Sequence, residues 1–153
     1  MKILDALPKE AILVDLKAVD KEGVLGELVM PIAEIAGIER EDLVKVLMER
    51  ERLGSTGIGE GIGIPHGKVK GLKTLMLGFG RSQKGVDFDS MDGLPAHIFF
   101  LLITPENSTG LHLKLLARIS RILKNDIFKA KLLRASSQDE IYSIIKEEEE
   151  EAF

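Results

Sequence analysis

An α/β domain with helices packed on a sheet is what this sequence predicts, on three observations. Short apolar runs suited to buried strands stand at Ala11 to Leu16, Thr74 to Phe79 and Ala96 to Ile103. Segments with helical apolar spacing lie before, between and after these runs, so helices flank the sheet on both sides. The chain has 153 residues, 44% of them hydrophobic and 30% charged, with no internal repeat or low-complexity linker. One domain, 1–153, of ordinary globular composition follows.

Ala11-Ile-Leu-Val-Asp-Leu16 reads as a first strand. Asp20 can cap a helix through Val24, Leu25, Leu28 and Val29, although Gly23 stands where a capping box wants Glu or Gln. Pro31 is expected to kink that helix or end it early. A second helix, about Arg40 to Leu53, stops at Gly54. Gly57 to Gly67 is too punctuated by glycine for a helix and reads as a turn-rich segment. Strands at Thr74 to Phe79 and Ala96 to Ile103 come next, apolar enough for burial on both faces. Three helices close the chain, at about Gly110 to Leu123, Asp126 to Leu133 and from Ser137 onward. Ser137 with Glu140 makes a capping box for the last. The acidic run Glu147 to Glu151 reads as a solvated, frayed helix end.

The bulk chemistry excludes several classes. A net charge of −4 does not suit a generic nucleic-acid binder, which needs a basic face. No apolar run approaches the roughly 18 residues of a membrane span, and Met1-Lys2-Ile3-Leu4-Asp5 lacks the apolar core of a signal peptide. Cysteine is absent, so thiolate chemistry and disulfides are excluded. A cytoplasmic location without membrane insertion is expected.

The most informative segment is Gly54-Ser-Thr-Gly-Ile-Gly-Glu-Gly-Ile-Gly-Ile-Pro-His-Gly-Lys68. Its glycines alternate at 57, 59, 61 and 63, a pattern that admits unusual backbone angles and close approach by another chain. It is neither a dinucleotide fingerprint nor a Walker loop, because position 62 is Ile and Gly67-Lys68 is followed by Val69. Pro65 and Gly67 frame His66 on a rigid, sterically open turn, which suits an accessible nucleophile. Two further residues converge on it. Leu43, Val46 and Leu47 mark the inward stripe of the helix from 40 to 53, and Arg50 is its next position, with Arg52 on the opposite side. An inward arginine needs an anion or a carbonyl partner. In the later helix Leu115, Leu116, Ile119 and Leu123 form the apolar face. His112 lies at its N-terminal end, where backbone N–H groups favour anions. Taken singly, these are a loop histidine, a snorkelling arginine and a core histidine; taken together, they make a phosphate site.

Arg50-Glu51 followed by Gly54 to His66 resembles the signature of the fructose, mannitol and nitrogen-regulatory class of phosphotransferase-system IIA proteins. The resemblance continues through Val86-Asp-Phe-Asp-Ser-Met-Asp-Gly-Leu-Pro95, Phe99-Phe-Leu-Leu102 and His112-Leu-Lys-Leu-Leu-Ala-Arg-Ile-Ser120. It implies a small mixed sheet between helix layers. It also implies that His66 is phosphorylated at Nε2, with His112 its partner across the site and Arg50 the cation that receives the phosphoryl group. Ser55, Thr56 and Glu60 would support the phosphate site. The partners implied are HPr as phosphoryl donor and a IIB component as acceptor for sugar uptake, or regulatory proteins in a nitrogen-regulatory role. No cofactor or metal is expected, because phosphoryl transfer between protein side chains asks for positioning and charge. A metallohydrolase using His66, His112 and Glu60 is the competing chemistry, and these positions lack a compact ligand spacing. Two positions depart from the family pattern: Gly63, where alanine is common, and His97.

Overall fold

The computed structural model describes residues 1–153 and builds one mixed sheet of six strands. In chain order the elements are α1 (Ile3–Ala6), a 3-10 turn (Lys9–Ala11), β1 (Ile12–Leu13), α2 (Lys21–Ala36), α3 (Arg40–Arg52), β2 (Gly57–Gly59), β3 (Ile62–Gly63), β4 (His66–Val69), β5 (Met76–Val86), β6 (Ala96–Pro105), α4 (Thr109–Ile122), α5 (Asp126–Arg134) and α6 (Gln138–Ala152). The strand order is β1-β5-β6-β3-β2. β4 pairs with β6 further along the side that β3 also uses. β5 runs antiparallel to β6 and β2 antiparallel to β3, while β1 is parallel to β5, and β3 and β4 are parallel to β6.

Alternation along β5 shows how both faces are covered. A Cβ on Gly80 would lie 2.7 Å from Leu28 of α2 and 2.8 Å from Leu16, so the even positions face α2. The neighbouring Arg81 points the other way, donating through Nη1 to the carbonyls of Leu132 (3.1 Å) and Ala135 at the end of α5. The α/β single-domain expectation holds, with α2 and α3 on one face and α4, α5 and α6 on the other. Buried apolar side chains from the sheet and both helix layers form one continuous cluster.

Several local expectations are corrected. α2 does not end early at Pro31 but runs on to Ala36, because Leu25, Leu28, Val29 and Ile32 keep one buried stripe on both sides of the proline. That burial outweighs the roughly 3 kcal/mol an interior proline costs. The first strand shrinks to Ile12–Leu13, since Ala11 closes a 3-10 turn and the chain bends at Val14 and Asp15. β5 runs on to Val86, beyond the Phe79 where its apolar run stops. It can do so because the buried Arg81 spends its charge on helix C-terminal carbonyls. The glycine segment pleats into β2, β3 and β4, and Glu60 (φ 56°) and Gly61 (φ 79°) turn the first hairpin. Two positive φ values in succession are what a tight hairpin turn requires. The acidic end is not frayed. α6 is helical to Ala152, and Glu149 is only 4% exposed, accepting hydrogen bonds from the Ile3 N–H (2.7 Å) and Arg118 Nε (3.0 Å).

Candidate functional site

β4 lies at the sheet edge beside only β6, so helices from both faces reach round to it. A Cβ on Gly67 would lie 2.9 Å from Val46 of α3, which fixes Gly67 towards α3 and turns His66 and Lys68 towards α4. His66 therefore opens a strand and is half-buried, in place of the bare turn expected, and Gly67 serves packing within the chain. Between α3, β4 and α4 lies a cavity of about 500 Å³ lined by Arg50, His66, Lys68, Thr109 and His112. Leu53, 85% exposed, and Leu113, 60% exposed, stand at its mouth.

The two imidazoles meet edge to face with ring centroids 5.4 Å apart. His66 Nδ1 lies 2.8 Å from the Ile64 carbonyl oxygen. A carbonyl only accepts, so Nδ1 carries the proton and the lone pair sits on Nε2. Burial lowers the His66 pKa below the ordinary 6.5, and Arg50 pushes in the same direction against the Ile64 hydrogen bond. His112, 6% exposed, has Nδ1 2.8 Å from the Thr104 hydroxyl. Burial, then the neighbouring His66 and Lys68, lower its pKa to about 4. Both rings are thus neutral at pH 7. Arg50 Nη1 donates to the Gly54 carbonyl (2.9 Å) and has no carboxylate partner, leaving its remaining donors free. Lys68 Nζ donates to Thr109 Oγ1 (2.8 Å) in the first turn of α4. A neutral imidazole nucleophile beside two cations and a second imidazole is suited to receiving a dianionic phosphoryl group.

The expected site residues divide into two sets. His66, His112 and Arg50 share the cavity. Ser55, Thr56 and Glu60 do not reach it. The Ser55 hydroxyl donates to the Phe88 carbonyl (2.8 Å), pinning the turn after α3. Buried Thr56 gives its backbone N–H (3.1 Å) and its hydroxyl to Glu51, which also pairs with Lys21 Nζ at 2.9 Å. Glu60 lies at the hairpin tip, exposed, with Lys129 Nζ 3.6 Å away. The strand it leads into meets β6 four residues before His66 does, about 13 Å along the sheet. Glu60 cannot join the two histidines as a third metal ligand. The sequence reading passed over Lys68 and Thr104. Lys68 was legible, two residues beyond His66 on the same strand face. Thr104 is the one hydroxyl ending the apolar run of β6, and a buried hydroxyl there must have a partner.

Residues 5–148 match the family model for the phosphoenolpyruvate-dependent sugar phosphotransferase system, EIIA 2. The chain belongs to this family. It is 41% identical over 145 residues to a nitrogen regulatory protein of Bradyrhizobium diazoefficiens, covering 95% of each chain. It is 35% identical over 142 residues to the fructose-specific EIIA component of Haloferax volcanii, covering 92% of each. Its fold superposes on the nitrogen regulatory protein IIA-Ntr from Neisseria meningitidis with a TM-score of 0.87 at 33% identity, covering 92% of this chain and 97% of that one. As an EIIA domain, the chain falls in a family of phosphotransferase-system carriers whose relatives are named for both transport and regulation. No helix is long and apolar enough to cross a membrane.

Proposed function

We propose that the chain is a phosphoryl carrier that accepts from phospho-HPr on His66 Nε2 and passes the group to a IIB component serving sugar uptake, in the cytoplasm. The observation that carries this reading is the His66 Nδ1 contact to Ile64, which leaves a nucleophilic lone pair on Nε2 beside Arg50 and His112. In the transfer, the donor's N–P bond breaks as a new N–P bond forms at Nε2, and the electron pair of the broken bond stays on the donor nitrogen. Arg50 supplies charge to the phosphoryl oxygens, and Leu53 and Leu113 give a partner apolar surface around the cavity mouth. A regulatory destination is the second reading, favoured by the resemblance to the Bradyrhizobium and Neisseria proteins. There the same phosphorylation would govern binding to regulatory proteins.

The test is incubation with phosphoenolpyruvate, enzyme I and HPr, followed by peptide mapping at neutral pH. One acid-labile phosphoryl group is expected, on the peptide containing His66. Label on the His112 peptide would reverse the assignment, and no uptake from an active donor mixture would sink it. Onward transfer to a purified IIB favours transport; a stable phosphoprotein that IIB cannot discharge favours regulation.

A further inference from the structure

Thr104 is fully buried at the end of β6, on the sheet face that α4 covers. Its hydroxyl touches one hydrogen-bonding partner, His112 Nδ1, at 2.8 Å. Two proton arrangements fit that distance. If Nδ1 carried the hydrogen, Thr104 would accept it and its own O–H would be a buried donor with nowhere to go. Leaving such a group buried and unpaired forfeits its hydration with nothing in return. If Thr104 donates, Nδ1 accepts and every polar atom of the pair is satisfied. The second arrangement puts the ring hydrogen of His112 on Nε2, the nitrogen left over for the cavity.

We propose that Thr104 is a positioning residue that fixes the tautomer of His112, so that Nε2–H donates a hydrogen bond to the phosphoryl group on His66. The inference rests on the carrier reading of His66. The opposite tautomer would aim a lone pair at phosphoryl oxygens and repel them. The edge-to-face rings, 5.4 Å apart, bring an oxygen on one within reach of a donor on the other. His66 and His112 then form a complementary pair: a backbone carbonyl keeps the proton off Nε2 in the nucleophile, and a hydroxyl keeps it on Nε2 in the supporting ring. Lys68, which pairs with Thr104 across β4 and β6, adds positive charge that disfavours a doubly protonated His112.

Nitrogen-15 NMR of the unphosphorylated wild-type chain at pH 7 reads the tautomer directly, with no donor present. The expected result is an unprotonated Nδ1 and a protonated Nε2 for His112; the reverse overturns the inference. Thr104→Val keeps shape and removes the hydroxyl, so it should mix the two tautomers and slow phosphoryl uptake by about tenfold. Thr104→Ser should restore both the single tautomer and the rate, a rescue that mere packing would not produce. A folded Thr104→Val protein with wild-type rate and an intact Nε2–H tautomer also overturns it. If Thr104→Val does not fold, the wild-type nitrogen shifts decide. Failure of His66 to take phosphate would sink the carrier reading, whereas the wrong tautomer with normal phosphorylation sinks this inference alone.

Discussion

Two clusters of polar groups, one in the cavity at β4 and one where α6 meets α1, are built from similar parts and left in opposite states. At the chain ends Glu149 accepts from the Ile3 N–H and from Arg118 Nε, Arg118 Nη2 lies 2.9 Å from the same carboxylate oxygen, and Phe153 stacks on that guanidinium at 3.9 Å. Glu149 and Arg118 neutralise each other there. In the cavity Arg50 has a carbonyl, Lys68 a hydroxyl, and each imidazole one contact at Nδ1. No carboxylate neutralises either cation. A saturated cluster holds the fold together, whereas an unsaturated one waits for an anion.

The sharpest way to break this comparison is to delete one group from each cluster. His66→Ala should abolish phosphoryl uptake, because the attacking atom is gone, yet change stability by no more than about 1 kcal/mol. Glu149→Ala should do the reverse. It strands the Ile3 N–H and Arg118 together, so chemical denaturation should register a loss of about 3 kcal/mol. Phosphoryl uptake by the folded fraction should be little changed. If Glu149→Ala were as stable as wild type, the chain-end cluster would not be structural, and the contrast would fail.

How much of this was legible beforehand depended on the kind of signal. The helices and the two long strands announce themselves through apolar period, and His66, Arg50 and His112 through their place on those faces. The glycines told of close approach without saying to what. In the structure Gly57 packs on Ser90 and Gly63 on Phe99, so the chain uses them on itself. Glu149 looked like one more residue in an acidic run, because its partners stand at positions 3 and 118. Ser55, Thr56 and Glu60 lie close to His66 in sequence, and the hairpin between them carries that proximity away. Buried Glu51 was passed over beside the more conspicuous Arg50, though it anchors the turn that holds the Gly54 carbonyl against that arginine.

Arg50 and Arg52 allow a smaller and finer test. They sit two residues apart at the end of α3; Arg50 lines the cavity, and exposed Arg52 lines a groove between α2 and α3. Arg50→Ala should slow phosphoryl uptake by more than about tenfold with the fold intact, since a charge at a developing anion contributes about 3 kcal/mol. Arg52→Ala should leave the rate within about twofold. Equal losses measured by quenched-flow transfer from phospho-HPr would show that general positive charge on α3, and no particular position, serves the site.

The smallest expected effect separates the two histidines by pH. His66 must be neutral to attack, and burial with Arg50 nearby lowers its pKa from 6.5. Phosphoryl uptake should therefore persist at pH 6.5, where an ordinary histidine is half protonated, and fall only at more acid pH. His112 is displaced further, to about 4, so its proton NMR signals should not move between pH 8 and 6. The sign for stability follows from the same displacement. An unfolded chain binds a proton at His112 from about pH 6.5 downward, while the folded chain resists until about pH 4. The stability contributed by keeping this ring neutral is thus complete above pH 6.5 and is lost progressively as pH falls towards 4. His112→Asn should flatten that part of the stability curve, and His66→Ala should flatten it less. If His112 instead titrates near 6.5, its ring is solvated, and as pH falls below 6.5 the cavity gains a cation where a neutral donor is expected.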